Sequence, residues 1–205
     1  MYEQHQPIIS RYGRSDPESM ARVLQFVILS AHVRLANVPI NTETAAQGGE
    51  EALGVLFAWK FDAYNNVWDR REAIHSYLEF VACHARDERA LAIDIIDYVA
   101  RLPGFGLVKA GFAAQLLYDC GGCLDSHNLR RFNLSVWSFS HYSRLRSVAG
   151  RKRKVEHYVD TVYQCGGPGS LWDSWCEYVS ARQPNAYPTA DHASKLHCTA
   201  LQLTA

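Results

Sequence analysis

The chain has 205 residues, 48% of them apolar, with 21 basic and 21 acidic side chains and a formal net charge of zero. That is enough chain to bury a real core, and one helical domain over 1–205 is expected. Zero net charge excludes a strongly basic nucleic-acid binder, so any DNA contact has to come from a local patch.

Met1-Tyr2-Glu3-Gln4-His5 lacks the basic-then-apolar pattern of a secretion signal. The longest apolar run, Val23–Ala31, is broken by His32 and Arg34 and falls short of the roughly 18 residues of a membrane span. A cytoplasmic protein without a membrane partner is expected. Ser15-Asp16-Pro17-Glu18 reads as a helix start, a polar cap followed by proline in the first turn. Met20, Val23, Leu24, Val27, Ile28 and Ala31 then recur at helical spacing. Gly48-Gly49 opens a second helix, Glu50 to about Phe61, and a third is expected from about Trp68 to Ala85. A fourth, Asp87 to Val99, carries Leu91, Ala92, Ile95, Ile96 and Val99 on one face. A turn at Leu102–Gly106 interrupts, and a helix follows to about Tyr118. After a break at Cys120–Cys123, Asp125 begins a further helix, and Val155–Gln164 and Ser170–Ala181 are the last two. The tail from Gln183 is rich in turn formers and is expected to be loose. With no strand alternation, the fold class is all-α.

Six cysteines, Cys83, Cys120, Cys123, Cys165, Cys176 and Cys198, raise disulfides or a metal. Without a secretion signal, disulfides are not expected. Cys120-Gly-Gly-Cys123 is a Cys-x-x-Cys pair of the kind that binds zinc or does redox chemistry, but no second pair matches it. Buried thiols and no metal are expected.

Leu102-Pro103-Gly104-Phe105-Gly106-Leu107-Val108-Lys109-Ala110 has the build of a helix-hairpin-helix, over about 97–112. Pro103 sets the entry angle, and Gly104 and Gly106 allow positive φ and close approach of backbone to a phosphate. The helix that follows starts with free N–H groups, which suit an anion. Asp125, in Leu124-Asp125-Ser126-His127-Asn128, follows Leu102 by about two dozen residues. Aspartate there caps a helix, and a capping carboxylate is oriented with its charged form stabilised. Such a group can face a cationic transition state or take a proton from an amine. The densest basic run is Arg144, Arg146, Arg151, Lys152, Arg153 and Lys154. It reads either as a solvated loop or as a contact for DNA phosphates.

The hairpin and Asp125 together resemble the core of the helix-hairpin-helix DNA glycosylase superfamily, in which a reactive aspartate follows the hairpin. The lyase members of that superfamily use a lysine in the hairpin's second helix, at the position of Val108 here; Lys109 is one place later, about 100° around the helix. The departure argues against imine chemistry. Some members carry a four-cysteine iron–sulfur loop after the aspartate, but here only Cys165, Cys176 and Cys198 follow, widely spaced. No iron–sulfur cluster is expected, and a monovalent cation at the hairpin is the one ion the resemblance leaves open.

Two further segments narrow the resemblance. Phe57-Ala58-Trp59-Lys60-Phe61-Asp62-Ala63-Tyr64-Asn65-Asn66 reads as a helix end rich in aromatics and amides. Gly166-Gly167-Pro168-Gly169-Ser170-Leu171-Trp172-Asp173-Ser174-Trp175-Cys176 sets two tryptophans and an aspartate on a glycine-led helix. With Asp125, over roughly Ala52 to Val179, they are similar to the amino-acid:DNA transferases of bacteriophages, also described as α-glutamyl/putrescinyl-thymine pyrophosphorylase-like. The resemblance implies double-stranded DNA carrying 5-hydroxymethyluracil activated as a pyrophosphate ester, a free amino acid such as glycine, and pyrophosphate as product. It would place the protein in a host cytoplasm. Asp125 would be catalytic, with His127 and Lys109 beside it. Lys60, Lys109, Arg130 and Arg131 are candidates for the pyrophosphate, and Trp59, Tyr64, Trp172 and Trp175 for an extruded base. Asn65, Asn128 and Asp173 complete the substrate-binding set. Leu102, Pro103, Gly104, Phe105, Gly106, Arg151, Lys152 and Arg153 form the DNA-binding set. For each aromatic the plain alternative is a place in the core. Two other functions remain open on these residues, a monofunctional DNA glycosylase and a non-catalytic DNA-binding module.

Overall fold

Asp16 starts the first helix as expected, its carboxylate accepting the Ser19 N–H at 2.9 Å and the Ser19 hydroxyl at 2.7 Å. The computed structural model describes residues 13–30, 50–135, 137–140, 142 and 145–182. Ala31, Gly48-Gly49, Arg144, Cys198 and the tail from Gln183 lie outside them. Among the described residues there are eight helices and no strand: α1 Pro17–Ser30, α2 Glu50–Asp69, α3 Arg71–His84, α4 Glu88–Val99, α5 Leu107–Tyr118, α6 Ser126–Arg131, α7 Val148–Gln164 and α8 Gly167–Arg182. The chain is all-α over this span.

Two boundaries differ from expectation in ways that matter. α2 runs on to Asp69, so the Trp59–Asn66 segment is the middle of a helix. α7 begins at Val148, because Ser147 caps it by accepting the Gly150 N–H at 3.0 Å. Arg151–Lys154 are therefore helical. Arg151 donates to the Leu145 and Arg146 carbonyls at 3.1 and 3.0 Å, which supports this early start.

α5 is the hub. Its Leu107, Ala110, Gly111, Ala113, Ala114, Gln115 and Leu117 are all buried, and it packs on α4 and α1. The small residues Ala110, Gly111, Ala113 and Ala114 let those backbones approach closely. α4 buries Ile95, Ile96 and Val99, and its other side meets α7 through Val155, Val159 and Val162. α1 brings Met20, Leu24, Val27 and Ile28 to the same core. Each such aliphatic contributes about 1.5–3 kcal/mol over leaving it in water. α8 packs on α6 and α7.

Two connections from these helices make the candidate site. α4 and α5 form a pair joined by residues 100–106, in which the Leu102 N–H donates to Val99 and the Phe105 N–H to Leu102. α5 ends on a left-handed Asp119, φ 52°, and the chain runs through Gly121 and Gly122 to Asp125 and α6.

Candidate functional site

At the α4–α5 turn, Leu102 is buried and Phe105 packs against the core, while Pro103 is exposed. Gly104 has φ +78°, and a Cβ on it would come within 2.4 Å of the Ala63 Cβ on α2. Both the conformation and the close approach require glycine there. Gly106 differs from expectation. Its φ of 176° is extended backbone open to any residue, and nothing lies within 4 Å of where its side chain would begin. It caps α5 without a side chain, so the backbone is approachable at this point.

Two lysines flank the exposed ring of Trp59 beside this turn. The Lys109 amine is 4.5 Å and the Lys60 amine 5.8 Å from its ring centroid. Lys109 donates to the Gly104 carbonyl. Lys60 is 2% exposed and donates to the Leu29 carbonyl at 3.2 Å. Burial lowers both amines, and burial together with the nearby Lys60 charge brings Lys109 down to about 8. Tyr64 does not share this surface. It is buried with Leu29, its hydroxyl accepts from Arg22 at 2.9 Å and its ring stacks on Phe61, so it belongs to the α1–α2 packing. Asn65 is half-buried one place further along α2.

The second cluster lies where α6 meets α8. Asp125 caps α6, its Oδ1 accepting the Asn128 N–H at 2.8 Å. Burial nevertheless raises its carboxyl above the usual range, outweighing the Asn128 and His127 N–H groups and the His127 charge that pull it down. The sequence-based expectation of a stabilised carboxylate is thus reversed, because the cap is half-buried. His127 Nε2 is 3.1 Å from the Ser174 carbonyl oxygen, which can only accept, so Nε2 carries the proton. The ring stacks on Tyr178 at 3.9 Å. Asn128 is buried and donates to the Cys123 and Leu171 carbonyls at 2.8 and 3.2 Å. Its amide thus braces the loop to α8. On α8, Trp172 stacks on Phe112 of α5 at 6.3 Å and lies 5.6 Å from Trp175; Asp173 is half-buried beside them.

The structure therefore gathers the predicted residues into two groups. Trp59, Lys60 and Lys109 join the hairpin turn, and Asp125, His127, Asn128, Trp172 and Trp175 join α8. Phe112 links the groups, since it follows Lys109 by one turn of α5 and carries the ring against Trp172. Arg131 also reaches α8, pairing with the exposed Glu177 at 2.7 Å. Lys152 and Arg153 are exposed on α7, apart from both groups in sequence and packing.

Burial pushes the Cys120 thiol up to about 12 and the Cys123 thiol higher still, so both stay protonated at neutral pH. Among the described residues, no three or more His, Cys, Asp or Glu side chains gather as a metal ion would need. An open groove between α4 and α7 is crossed by the Arg89–Asp160 pair at 2.7 Å and the Tyr163–Glu88 hydrogen bond at 2.6 Å.

Two positions that shape the Asp125 loop, Tyr158 and Gly111, had no sequence signal. The buried Tyr158 hydroxyl donates to the Gly122 carbonyl at 2.7 Å and accepts the Leu124 N–H at 3.0 Å. Gly111 leaves room for this contact: a Cβ there would lie 2.2 Å from the Gly122 carbonyl oxygen and 2.5 Å from the Tyr158 hydroxyl. Gly122 in turn has φ +158° and faces Leu171 and Val162. The partners are too far apart in sequence for any local pattern to reveal them. Compared with known proteins, the chain matches no family model, no curated protein and no solved structure.

Proposed function

We infer that the chain is a glycosylase-fold DNA base-modifying transferase of the helix-hairpin-helix type. It joins an amino acid, with glycine the first to try, through its amino group to the methylene of pyrophosphorylated 5-hydroxymethyluracil in duplex DNA. The amine nitrogen forms a bond to the methylene carbon, the carbon–oxygen bond to pyrophosphate breaks, and the amine proton passes to a base. The observation that carries the proposal is the half-buried Asp125 carboxyl, held by its cap at the start of α6, a helix that packs on the α8 of Trp172 and Trp175. A carboxylate whose charge is poorly solvated stabilises a developing positive carbon strongly. Its raised pKa also makes it a better proton acceptor than a free aspartate. His127 lies in the same turn, its Nε2 bound to the Ser174 carbonyl.

The hairpin supports the DNA side of the proposal. The open backbone at Gly106 and the first N–H groups of α5 suit a phosphate, and Lys109 beside Trp59 suits the departing pyrophosphate.

The test is a reaction. Duplex DNA bearing the pyrophosphorylated base is incubated with a mixture of amino acids and digested to nucleosides for mass spectrometry. An amino-acid adduct on thymidine is the expected product. Free base or abasic sites would make the protein a glycosylase, and binding without either product would leave only a DNA-binding module.

A further inference from the structure

α3 turns an aromatic stripe to solvent. Ala73, Tyr77, Phe80 and His84 are all exposed, Tyr77 at 39% and Phe80 at 60%. Their 4-3-4 spacing puts them on one face of this helix, the spacing of a coiled-coil seam. The core does not use them, since Ile74, Leu78 and Val81 bury a different side of α3. The rings are nevertheless held in place. Tyr77 stacks on Tyr98 of α4 at 4.1 Å. Phe80 stacks on His84 at 4.2 Å, and His84 Nδ1 lies 2.7 Å from the Phe80 carbonyl oxygen. Each end of the stripe carries one exposed cation and one exposed anion, Arg70 and Glu72 at its start and Arg86 and Asp87 just past its end. Arg70 and Glu72 form no ion pair with a described residue, and Arg86 meets Asp87 at 3.3 Å in open solvent.

We propose that this stripe is the interface of a homodimer, with α3 packed antiparallel against α3 of a second copy. The stripe matches its own reverse about a two-fold axis between Tyr77 and Phe80. Tyr77 then meets the second copy's Phe80, and Ala73 meets its His84. At the ends Arg70 comes opposite the second copy's Asp87, and Glu72 opposite its Arg86. A two-fold interface demands this reciprocity, because each contact occurs twice. A parallel copy would set Arg70 on Arg70 and Asp87 on Asp87, so the charges select the antiparallel arrangement. The same match of stripe to reversed stripe favours a second copy over a partner of unrelated sequence. One helix pair makes a small interface, so the dimer is weak and dissociates on dilution. It does not depend on the proposed chemistry at Asp125.

The experiment is sedimentation velocity of the full chain from low micromolar to near millimolar concentration. A monomer passing into a dimer, with no larger species, is expected, since a two-fold contact closes on itself. Phe80→Ser should weaken the dimer by at least about tenfold, as removal of a central aromatic does. Its side chain is mostly exposed, so circular dichroism should show unchanged folding. The register is tested by oxidative cross-linking in a Cys83→Ser background. A chain carrying Ala73→Cys mixed with one carrying His84→Cys should form a linked dimer, and peptide mass spectrometry should place the link between positions 73 and 84. Neither chain should link to itself at these positions. A monomer at every concentration, a dimer unaffected by Phe80→Ser, or a link of position 73 to position 73 would overturn the proposal.

Discussion

The hairpin side and the Asp125 side of the molecule set opposite charges under the same stress. At the hairpin, burial drives Lys109 and Lys60 toward the neutral amine, and no carboxylate of a described residue offsets the effect on Lys109. At the start of α6, burial drives Asp125 toward the neutral acid. The two do not relieve each other. Under the proposed function each would find its complement outside the chain, an anion at one place and a cationic centre at the other. A structural ion pair would have joined them; a protein that handles a polyanion and a developing carbocation would keep them apart.

The sharpest way to break this comparison is Asp125→Asn. Asparagine caps a helix as well as aspartate does, so the fold should survive while transfer falls by about 10²–10⁴-fold in the nucleoside assay. The sign of the stability effect is also set. Because the folded pKa is raised, the charged form opposes folding above that pKa, and the cost fades as pH falls through it. The variant should therefore melt at the same temperature as the wild type or higher at neutral pH. Lower stability with full turnover would remove Asp125 from the chemistry.

Next in size is Gly111→Ala. Alanine gains about 1 kcal/mol in helix propensity, but the Cβ collides with the Gly122 carbonyl and Tyr158, an overpacking cost of about 3 kcal/mol. A net loss of about 2 kcal/mol by urea unfolding is expected; a neutral outcome would mean the Asp125 loop is not pressed onto α5. Tyr158→Phe should cost about 1–3 kcal/mol, because the Gly122 carbonyl and Leu124 N–H lose a buried partner. Transfer should fall while binding to duplex DNA holds, marking Tyr158 as a positioning residue for Asp125.

The smallest effect sharpens the hairpin side. Lys109 titrates near pH 8 in the fold and near 10.5 when unfolded. Its charge opposes folding in full below about pH 8, and the penalty is relieved as pH climbs from 8 toward 10.5. Anion affinity runs the other way, since only the charged amine binds phosphate. Inhibition by pyrophosphate should weaken by up to about tenfold as pH passes through this range, and Lys109→Arg should flatten the profile. A wild-type profile already flat would detach Lys109 from the anion site.

What was legible from sequence follows locality. The apolar spacing of α1 and α4, the caps at Asp16, Asp87 and Asp125, and the glycine turn at Gly104 are all set by residues within a turn or two of each other. The α7 start was missed because a serine cap and two backbone carbonyls outweigh a run of four basic residues. Of the two readings open for Tyr64, packing favours the core one: an aromatic in a helix has no intrinsic side, and the contact of α1 with α2 gave it one.

By itself, then, the sequence determined an all-helical chain, the places where its helices begin and turn, and which residue types were on hand for chemistry. Only the tertiary structure decided that Lys109 meets Trp59 and Lys60, that His127 and Asn128 lean on α8, that Arg131 is taken up by Glu177, and that Tyr158 fastens the loop ahead of Asp125. The reason is physical. Helix formation answers to neighbours along the chain, whereas desolvation and side-chain pairing answer to whatever the packing brings from tens of residues away.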